Sequence, residues 1–236
     1  TISVVAALLK LKFGAIMAPL LVLLPFGPFL AWKRADFVGV AQRLAWVAGL
    51  SLFVTVLFFA LRGGVVSLAP LGLLLGFWVS FGALAELFDR AKFFRTDIMT
   101  SMRRLFGLPR TAWATAIAHF GVGITVIGIV STSAWESELI TTMTPGQTAT
   151  LAGYTLHFDR LDEFAGPNFR SQTGHFTLTA PNGNTRESVP ERRIYNASGM
   201  PTTEAAIETY GFSQLYLQLG ETSTGAPGQV VRLWYK

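Results

Sequence analysis

Cysteine is absent from the 236 residues. A thiol–disulfide relay, a Cys-ligated zinc site and an iron–sulfur cluster are therefore excluded within the chain. Any part lying in an oxidising compartment must be held by its core, without disulfides. Charge is also scarce: only 14% of residues are Asp, Glu, Lys or Arg, while 51% are hydrophobic. No Gly-x-Ser-x-Gly, P-loop or His-Glu-x-x-His pattern occurs, which removes the common motif-borne hydrolase, nucleotide and zinc-protease chemistries. The first segment lacks the basic n-region and small-residue cleavage site of a signal peptide. The small positive net charge, +5, sits beside hydrophobic segments. It reads as topology control, and no basic–aromatic stripe supports nucleic-acid binding.

The apolar residues are segregated. Residues 1–134 hold nearly all the long hydrophobic runs, and residues 135–236 have the composition of an ordinary polar domain. That is the split of a polytopic α-helical membrane region followed by a small, mainly-β extracytoplasmic domain. Four spans are predicted: 13–32, 44–61, 65–87 and 112–134. The first contains Pro19, Pro25 and Pro28. A break is expected near Pro25-Phe26-Gly27-Pro28, with neighbouring helices satisfying the freed carbonyls. Glu86 and Arg90 end the third span one turn apart, close enough to pair. Trp113 and Trp135 bracket the fourth as interfacial anchors. The chain opens at Thr1 and closes at Lys236 in a strand-like run, so it is expected to be part of something longer.

Loop charges set the expected orientation. The first connection carries Lys33, Arg34 and Arg43 against Asp36. The third carries Arg90, Lys92, Arg95, Arg103, Arg104 and Arg110 against Asp89 and Asp97. The second, Arg62-Gly63-Gly64, holds one charge. Positive connections stay cytoplasmic, so residues 135–236 are expected outside, in the periplasm of a two-membrane bacterium. Between Asp89 and Arg110, Phe93, Phe94, Ile98, Met102 and Leu105 suggest a short amphipathic helix on the membrane surface.

In the polar domain, Tyr154–Phe158 and His175–Thr179 alternate as strands, and Pro181-Asn182-Gly183-Asn184 is a turn signal. Further strands are expected at Leu139–Met143, Arg192–Tyr195, Gln214–Leu219 and Val230–Tyr235, and a helical turn at Thr202–Thr209. A sandwich or barrel is the natural packing. His157 and His175 fall on polar strand faces and read as solvated. Asp159, Asp162 and Glu163 lack calcium-loop spacing and read as a solvated strand end. Asn196-Ala197-Ser198 matches a sequon that a bacterial host leaves inert.

His119 stands out. It is the one ionisable residue between Ala112 and Ala134, and an ionisable group at membrane depth points to function. Imidazole is the commonest metal ligand. Thr115, Ala116, Ala118, Gly121 and Gly123 are small, so a flat, bulky ligand could lie against the backbone. The alternative is a histidine that hydrogen-bonds a neighbouring helix.

His119 lies in Ile117-Ala118-His119-Phe120-Gly121-Val122-Gly123, followed by Val126-Ile127-Gly128-Ile129 and Ser133-Ala134-Trp135-Glu136. Leu151-Ala152-Gly153-Tyr154, Gly166-Pro167-Asn168-Phe169 and Gly199-Met200-Pro201-Thr202-Thr203-Glu204-Ala205-Ala206-Ile207 come after, and Leu23-Leu24-Pro25-Phe26-Gly27-Pro28 before. Together these resemble the C-terminal part of the CcmF family of cytochrome c-type biogenesis proteins, over nearly the whole chain. A departure is Val5–Lys10, where the family usually has a proline-rich stretch.

The resemblance implies a membrane haem lyase that joins haem to apocytochrome c outside the membrane. It implies a haem chaperone (CcmE) and a thiol partner (CcmH-type) as its associates. It also implies an internal haem b held by two membrane histidines, the second matching His119 as an axial ligand of the haem iron. The other ligand and the attachment site belong to the family's upstream half, so this chain alone would be an incomplete holocytochrome c synthase with no assigned catalytic residue. His119 is expected roughly 9 Å inside its helix, in the inner half of the bacterial inner membrane. The electron path outward would then be long, or a carrier such as a quinol would intervene. Two other readings remain open: an assembly subunit whose outer domain docks partners, and a transporter fragment with a proline-broken helix. Because the charges around Gly166–Phe169 and Gly199–Ile207 are sparse, those turns are expected either to shape a haem cavity or only to close the β domain.

Overall fold

A computed structural model describes residues 2–30, 36–62, 68–222 and 228–236. The expected span end at Trp32, the start at Val65, and Lys33, Arg34, Gly63 and Gly64 lie outside the described residues. The chain divides into two compact units, Thr1–Ala134 and Trp135–Lys236.

The first unit is helical. Helix α1 (Ile2–Leu23) passes into a 3-10 turn, η1 (Leu24–Phe29). Helices α2 (Phe37–Arg62), α3 (Ala69–Arg90), α4 (Ile98–Phe106) and α5 (Arg110–Ala134) follow. Among the described residues four stretches are long and apolar enough to cross a membrane: Lys12–Phe29, Phe37–Leu61, Ala69–Arg90 and Arg110–Ala134. Helix α2 begins seven residues before the expected Leu44. Asp36 caps it, accepting from Gly39 N at 2.9 Å, so a polar cap extends the helix through Gln42 and Arg43, beyond the apolar window. Glu86 and Arg90 do pair, at 2.9 Å.

Helix α3 is the hub. Half of its apolar stretch is buried against 11–22% in the other three, and α1, η1, α2, α4 and α5 all pack on it. Its contact with α5 depends on small residues at helical spacing, Gly72, Gly76 and Ser80. A Cβ on Gly76 would lie 2.6 Å from Ile127 Cγ1, and one on Gly123 would lie 2.7 Å from Gly76 O and overlap the Ser80 hydroxyl. Apolar side chains gain little by leaving lipid for protein, so close backbone approach through small residues is what holds membrane helices together. On α2, Val40, Leu44 and Val47 pack with Ala85. The buried hydroxyls of Ser51, Thr55 and Ser80 each bond the carbonyl four residues back, at 2.7, 2.7 and 2.9 Å, so none is left without a partner in an apolar setting.

The same helix stabilises the proline break. In a 3-10 turn the Val22 carbonyl would be met by the amide of residue 25, but Pro25 has none. Trp78 Nε1 donates to it instead, at 3.0 Å. Gly82, one turn on from Trp78, leaves room for the Pro25 ring, whose Cβ would lie 2.6 Å from a Cβ there.

Past α3, a left-handed residue, Lys92 (φ 59°), ends the helix. Lys92 N donates to Asp89 O and Phe93 N to Phe88 O, and the Phe88 and Phe93 rings sit 5.1 Å apart. This is a Schellman-type stop with lysine where glycine is usual. Phe93 and Phe94, expected in an amphipathic helix, belong to this stop, and the helix is only Ile98–Phe106. Asp97 caps it through Thr100 N at 2.9 Å, and that hydrogen bond holds the carboxyl below its ordinary range. Ile98, Met99 and Phe106 are exposed while Arg103 and Arg104 fill its last turn, the division of an interfacial helix.

The second unit has two sheets. One has the order β1-β10-β9-β8, the other β2-β3-β4-β6-β7 with β5 beside β4. Their strands are β1 (Ser137–Met143), β2 (Thr148–Leu151), β3 (Tyr154–Ala165), β4 (Phe169–Thr179), β5 (Thr185–Ser188), β6 (Glu191–Tyr195), β7 (Pro201–Glu204), β8 (Ala206–Tyr210), β9 (Ser213–Thr222) and β10 (Gln229–Tyr235). Inward residues alternate along each: Leu156 and Phe158, Phe176 and Leu178, Leu215, Leu217 and Leu219, Val231 and Leu233 form the core between the sheets. Phe158 and Phe176 are register partners with rings stacked at 4.4 Å. The expected helical turn at Thr202–Thr209 is not formed. Thr202, Thr203 and Glu204 pair with β6 and Ala206–Thr209 with β9, because period-two burial through Ala206, Glu208 and Tyr210 outweighs the local preference of Ala205-Ala206 for helix.

Gly82→Val would place a branched side chain where Pro25 sits, and is expected to destabilise the helical unit by about 1–3 kcal/mol. Trp78→Phe removes the donor to Val22 together with part of the packing on Phe26, and is expected to cost about 1–3 kcal/mol. Denaturation in detergent, followed by circular dichroism, measures both. Midpoints equal to the parent's would refute this account of the break.

Candidate functional site

His119 sits on the turn between two seam residues of α5, Ala116 and Gly123, which are both buried. Helical spacing directs it toward the α3 side, at the edge of the contact. There it lines a groove of about 470 Å³ with Thr115 and, from the broken helix, Leu20, Leu23, Leu24, Gly27 and Pro28. Among the described residues no hydrogen bond or ion pair involves His119. Thr115 turns its own hydroxyl back to Thr111 O at 3.0 Å, so it does not compete for the imidazole. Farther along the same two helices is a larger, almost wholly apolar cavity of about 1180 Å³, bounded by Phe13, Met17 and Leu21 on α1 and Gly121, Val122 and Thr125 on α5. An unpaired imidazole beside glycine and proline, with apolar walls, fits a flat ligand carrying a coordinating metal. Among the described residues no group of three or more His, Asp or Glu side chains could hold a bare ion. Helix α5 begins at Arg110, which puts His119 nine residues in, roughly 13 Å.

The outer histidines are not simply solvated. His157 Nδ1 meets Asp159 at 2.7 Å, and Thr177 donates to the same carboxylate at 2.8 Å. His175 is mostly covered and lies between Asp162 (3.1 Å) and Glu187 (2.8 Å), with Arg160 Nη2 3.0 Å from its Nδ1. The acidic residues expected at a solvated strand end are thus partners in a lateral network over β3, β4 and β5. A β-bulge between Phe158 and Arg160 brings them together. Alternation alone could not reveal it, because the bulge changes which residues share a face. Partial burial pushes the Asp159 carboxyl up, but the His157 and Thr177 bonds, with the charges of His157 and Arg160, outweigh it and hold it below the usual range.

The Gly166–Phe169 turn is built around its own ring. Gly166 N donates to Phe169 O at 2.8 Å, a Cβ on Gly166 would lie 2.7 Å from the Phe169 ring, and Tyr195 and Arg193 pack on that ring at 6.0 and 5.0 Å. Glu204 lies 3.9 Å from Arg193, and Asn168 O accepts from Asn196 N.

Comparison with known proteins bears on both units. A family model described as the CcmF C-terminal beta-sandwich matches residues 134–236. The cytochrome c-type biogenesis protein CycK of Rhizobium meliloti is 45% identical over 236 residues, covering 100% of this chain and 35% of CycK. CycK of Bradyrhizobium diazoefficiens is 42% identical over 99% of this chain and 35% of its own length. CcmF of Escherichia coli is 29% identical over 100% of this chain, again 35% of its length. The chain belongs to the CcmF family, as its C-terminal part. A solved structure of the cytochrome c heme lyase CcmF superposes with a TM-score of 0.67 over 95% of this chain and 36% of that one, at 17% identity, which shows a shared fold. The chain spans about a third of the length of the curated relatives it matches. Within the CcmF fold, the matched β-sandwich starts at the last residue of the helix that carries His119.

A group whose carboxyl is depressed in the folded state contributes stability that is complete above its unfolded value, about 3.9. That contribution is lost as pH falls through the lower folded value. The β-sandwich is therefore expected to lose stability as pH falls below about 4, partly through Asp159, and Asp159→Asn to flatten that loss. Urea midpoints across this range measure it. Identical slopes for parent and variant would remove Asp159 from the acid response.

Proposed function

We propose that the chain is the C-terminal part of a membrane haem-handling protein of cytochrome c maturation, in which His119 supplies one axial ligand to an internal haem b. The observation that carries this is the unpartnered imidazole of a long apolar helix, opening on a groove beside the proline break. Supporting it, the similar proteins are cytochrome c-type biogenesis proteins and a heme lyase. The chain's own residues have definable tasks. His119 would hold the haem iron through its imidazole. Gly27 and Thr115 let a planar ring approach the backbone, and Leu20, Leu23 and Leu24 exclude water. Trp78 and Gly82 hold the break that forms the far wall. When bound, the iron would supply one-electron transfer.

In this reading the full-length protein is a holocytochrome c synthase of the bacterial inner membrane. It receives haem from the chaperone CcmE and meets apocytochrome c with a CcmH-type thiol partner. Residues 135–236 lie in the periplasm, in accord with the basic connections.

In the full-length protein, His119→Ala is expected to remove or shift the reduced b-type spectrum and to abolish cytochrome c maturation. His119→Gly with added imidazole should recover part of the spectrum, because the cavity admits the free ligand. An unchanged reduced spectrum in the alanine variant would reduce His119 to a packing residue.

Topology is tested by single cysteines at Arg103 and Asn184, both exposed, in the naturally cysteine-free chain. In intact cells a membrane-impermeant maleimide should label position 184 and spare 103. The reverse pattern would overturn the orientation.

A further inference from the structure

A third cavity, of about 380 Å³, lies where α2 begins and α3 ends. Gln42 and Arg43 reach it from α2, Asp89 from α3, and Arg95 from the turn before α4, over a floor that includes Trp46 and Phe93. Arg95 pairs with Asp89 at 3.2 Å, and Arg43 reaches the other carboxylate oxygen of Asp89 at 3.8 Å. Two guanidinium groups thus share one carboxylate, and the lining keeps one positive charge. Both arginines stay more than half exposed, which leaves room for a ligand at their guanidinium groups.

The turn that delivers Arg95 is unusual. Lys92 and Phe94 are both left-handed without being glycine (φ 59° and 66°), and Phe94 is 95% exposed. Backbone of this kind is costly and is retained where the surrounding structure uses it. Here it folds Phe93 onto Phe88 and returns Arg95 to Asp89. The cavity lies near the start of α2 and the end of α3, where a spanning helix meets the lipid headgroups. Trp46 lies one turn deeper in α2 than Gln42, the level at which tryptophan anchors at an interface, and α4 carries its exposed Ile98, Met99 and Phe106 beside Arg103 and Arg104.

We propose that this cavity binds a phosphate-bearing anion, the phosphodiester headgroup of an anionic membrane lipid. The phosphate oxygens take the free donors of Arg43 and Arg95, and the acyl chains lie along the exposed apolar side of α2 that includes Trp46, Leu50 and Phe53. Arginine suits this because its planar fork meets phosphate with two donors at once. Asp89 holds both forks in place, and the two guanidinium groups leave the site with one net positive charge. The site is independent of His119 and of any haem.

The test is native mass spectrometry of the full chain in detergent, titrated separately with phosphatidylglycerol, phosphatidylcholine and inorganic phosphate. One phosphatidylglycerol should bind more tightly than phosphatidylcholine. Arg43→Gln with Arg95→Gln should weaken it at least about tenfold, as expected for losing two charge-assisted contacts at a membrane surface, and leave phosphatidylcholine unchanged. Arg103→Gln with Arg104→Gln removes the same charge outside the cavity and should have little effect. Arg43→Lys should weaken binding less than the glutamine pair, which keeps the test sound if the double variant misfolds by circular dichroism. Displacement of the lipid by millimolar inorganic phosphate would support the phosphate site and assign free phosphate as a second source; no displacement would support the lipid alone. Equal affinity for the two lipids, or equal loss in the α4 variant, would overturn the proposal.

Discussion

The close approach of α3 and α5 is the constraint on which the helical unit depends. Lipid offers no hydrophobic incentive for two apolar helices to pack, so the contact rests on backbones that nearly touch at Gly76 and Gly123. That contact sets the rotation of α5 about its axis. Because Ala116 and Gly123 are in the seam, His119 between them must look along it, past α3 and toward the broken first span. A bulky residue at any of these small positions would push the helices apart and turn the imidazole away from the groove.

The proline break is the complementary device. A helix interrupted inside a membrane leaves carbonyls that cannot find water. Here α3 supplies both a donor, from Trp78, and a recess, at Gly82. One helix therefore orients the histidine through one face and secures the opposite wall of its groove through another. Beyond His119 and Thr115 the lining of the groove is apolar, from Leu20, Leu23, Leu24, Gly27 and Pro28.

The β-sandwich obeys different physics. Its stability comes from an apolar core between two sheets, with Phe158 on Phe176 at the centre. Its polar surface is organised laterally, by histidine–carboxylate and arginine–carboxylate contacts across β3, β4 and β5. The aromatic packing of Phe169 with Tyr195 and Arg193 accounts for the Gly166–Phe169 turn from within the domain.

Long apolar runs, the prolines of the first span and the alternation of Tyr154–Phe158 and His175–Thr179 were decisive by themselves. Burying that many apolar residues leaves few alternatives, and proline removes a backbone donor wherever it stands. His119 was likewise conspicuous, because charge-capable groups are rare in such a run. Tertiary structure alone decided what these residues meet. The start of α2 at Phe37 depends on a cap formed by Asp36, and the strands at Pro201–Tyr210 on partners in β6 and β9. The partners of His157 and His175 depend on a single bulge, and the pairing of Arg43 and Arg95 on Asp89 depends on a left-handed turn. The strand partners and the Arg43–Asp89 pair join residues far apart in sequence, whereas the Asp36 cap and the His157–Asp159 pair are local contacts that hydropathy and alternation do not report. Local pattern reports which groups are costly to leave unpaired, and only the folded chain determines which partner each one finds.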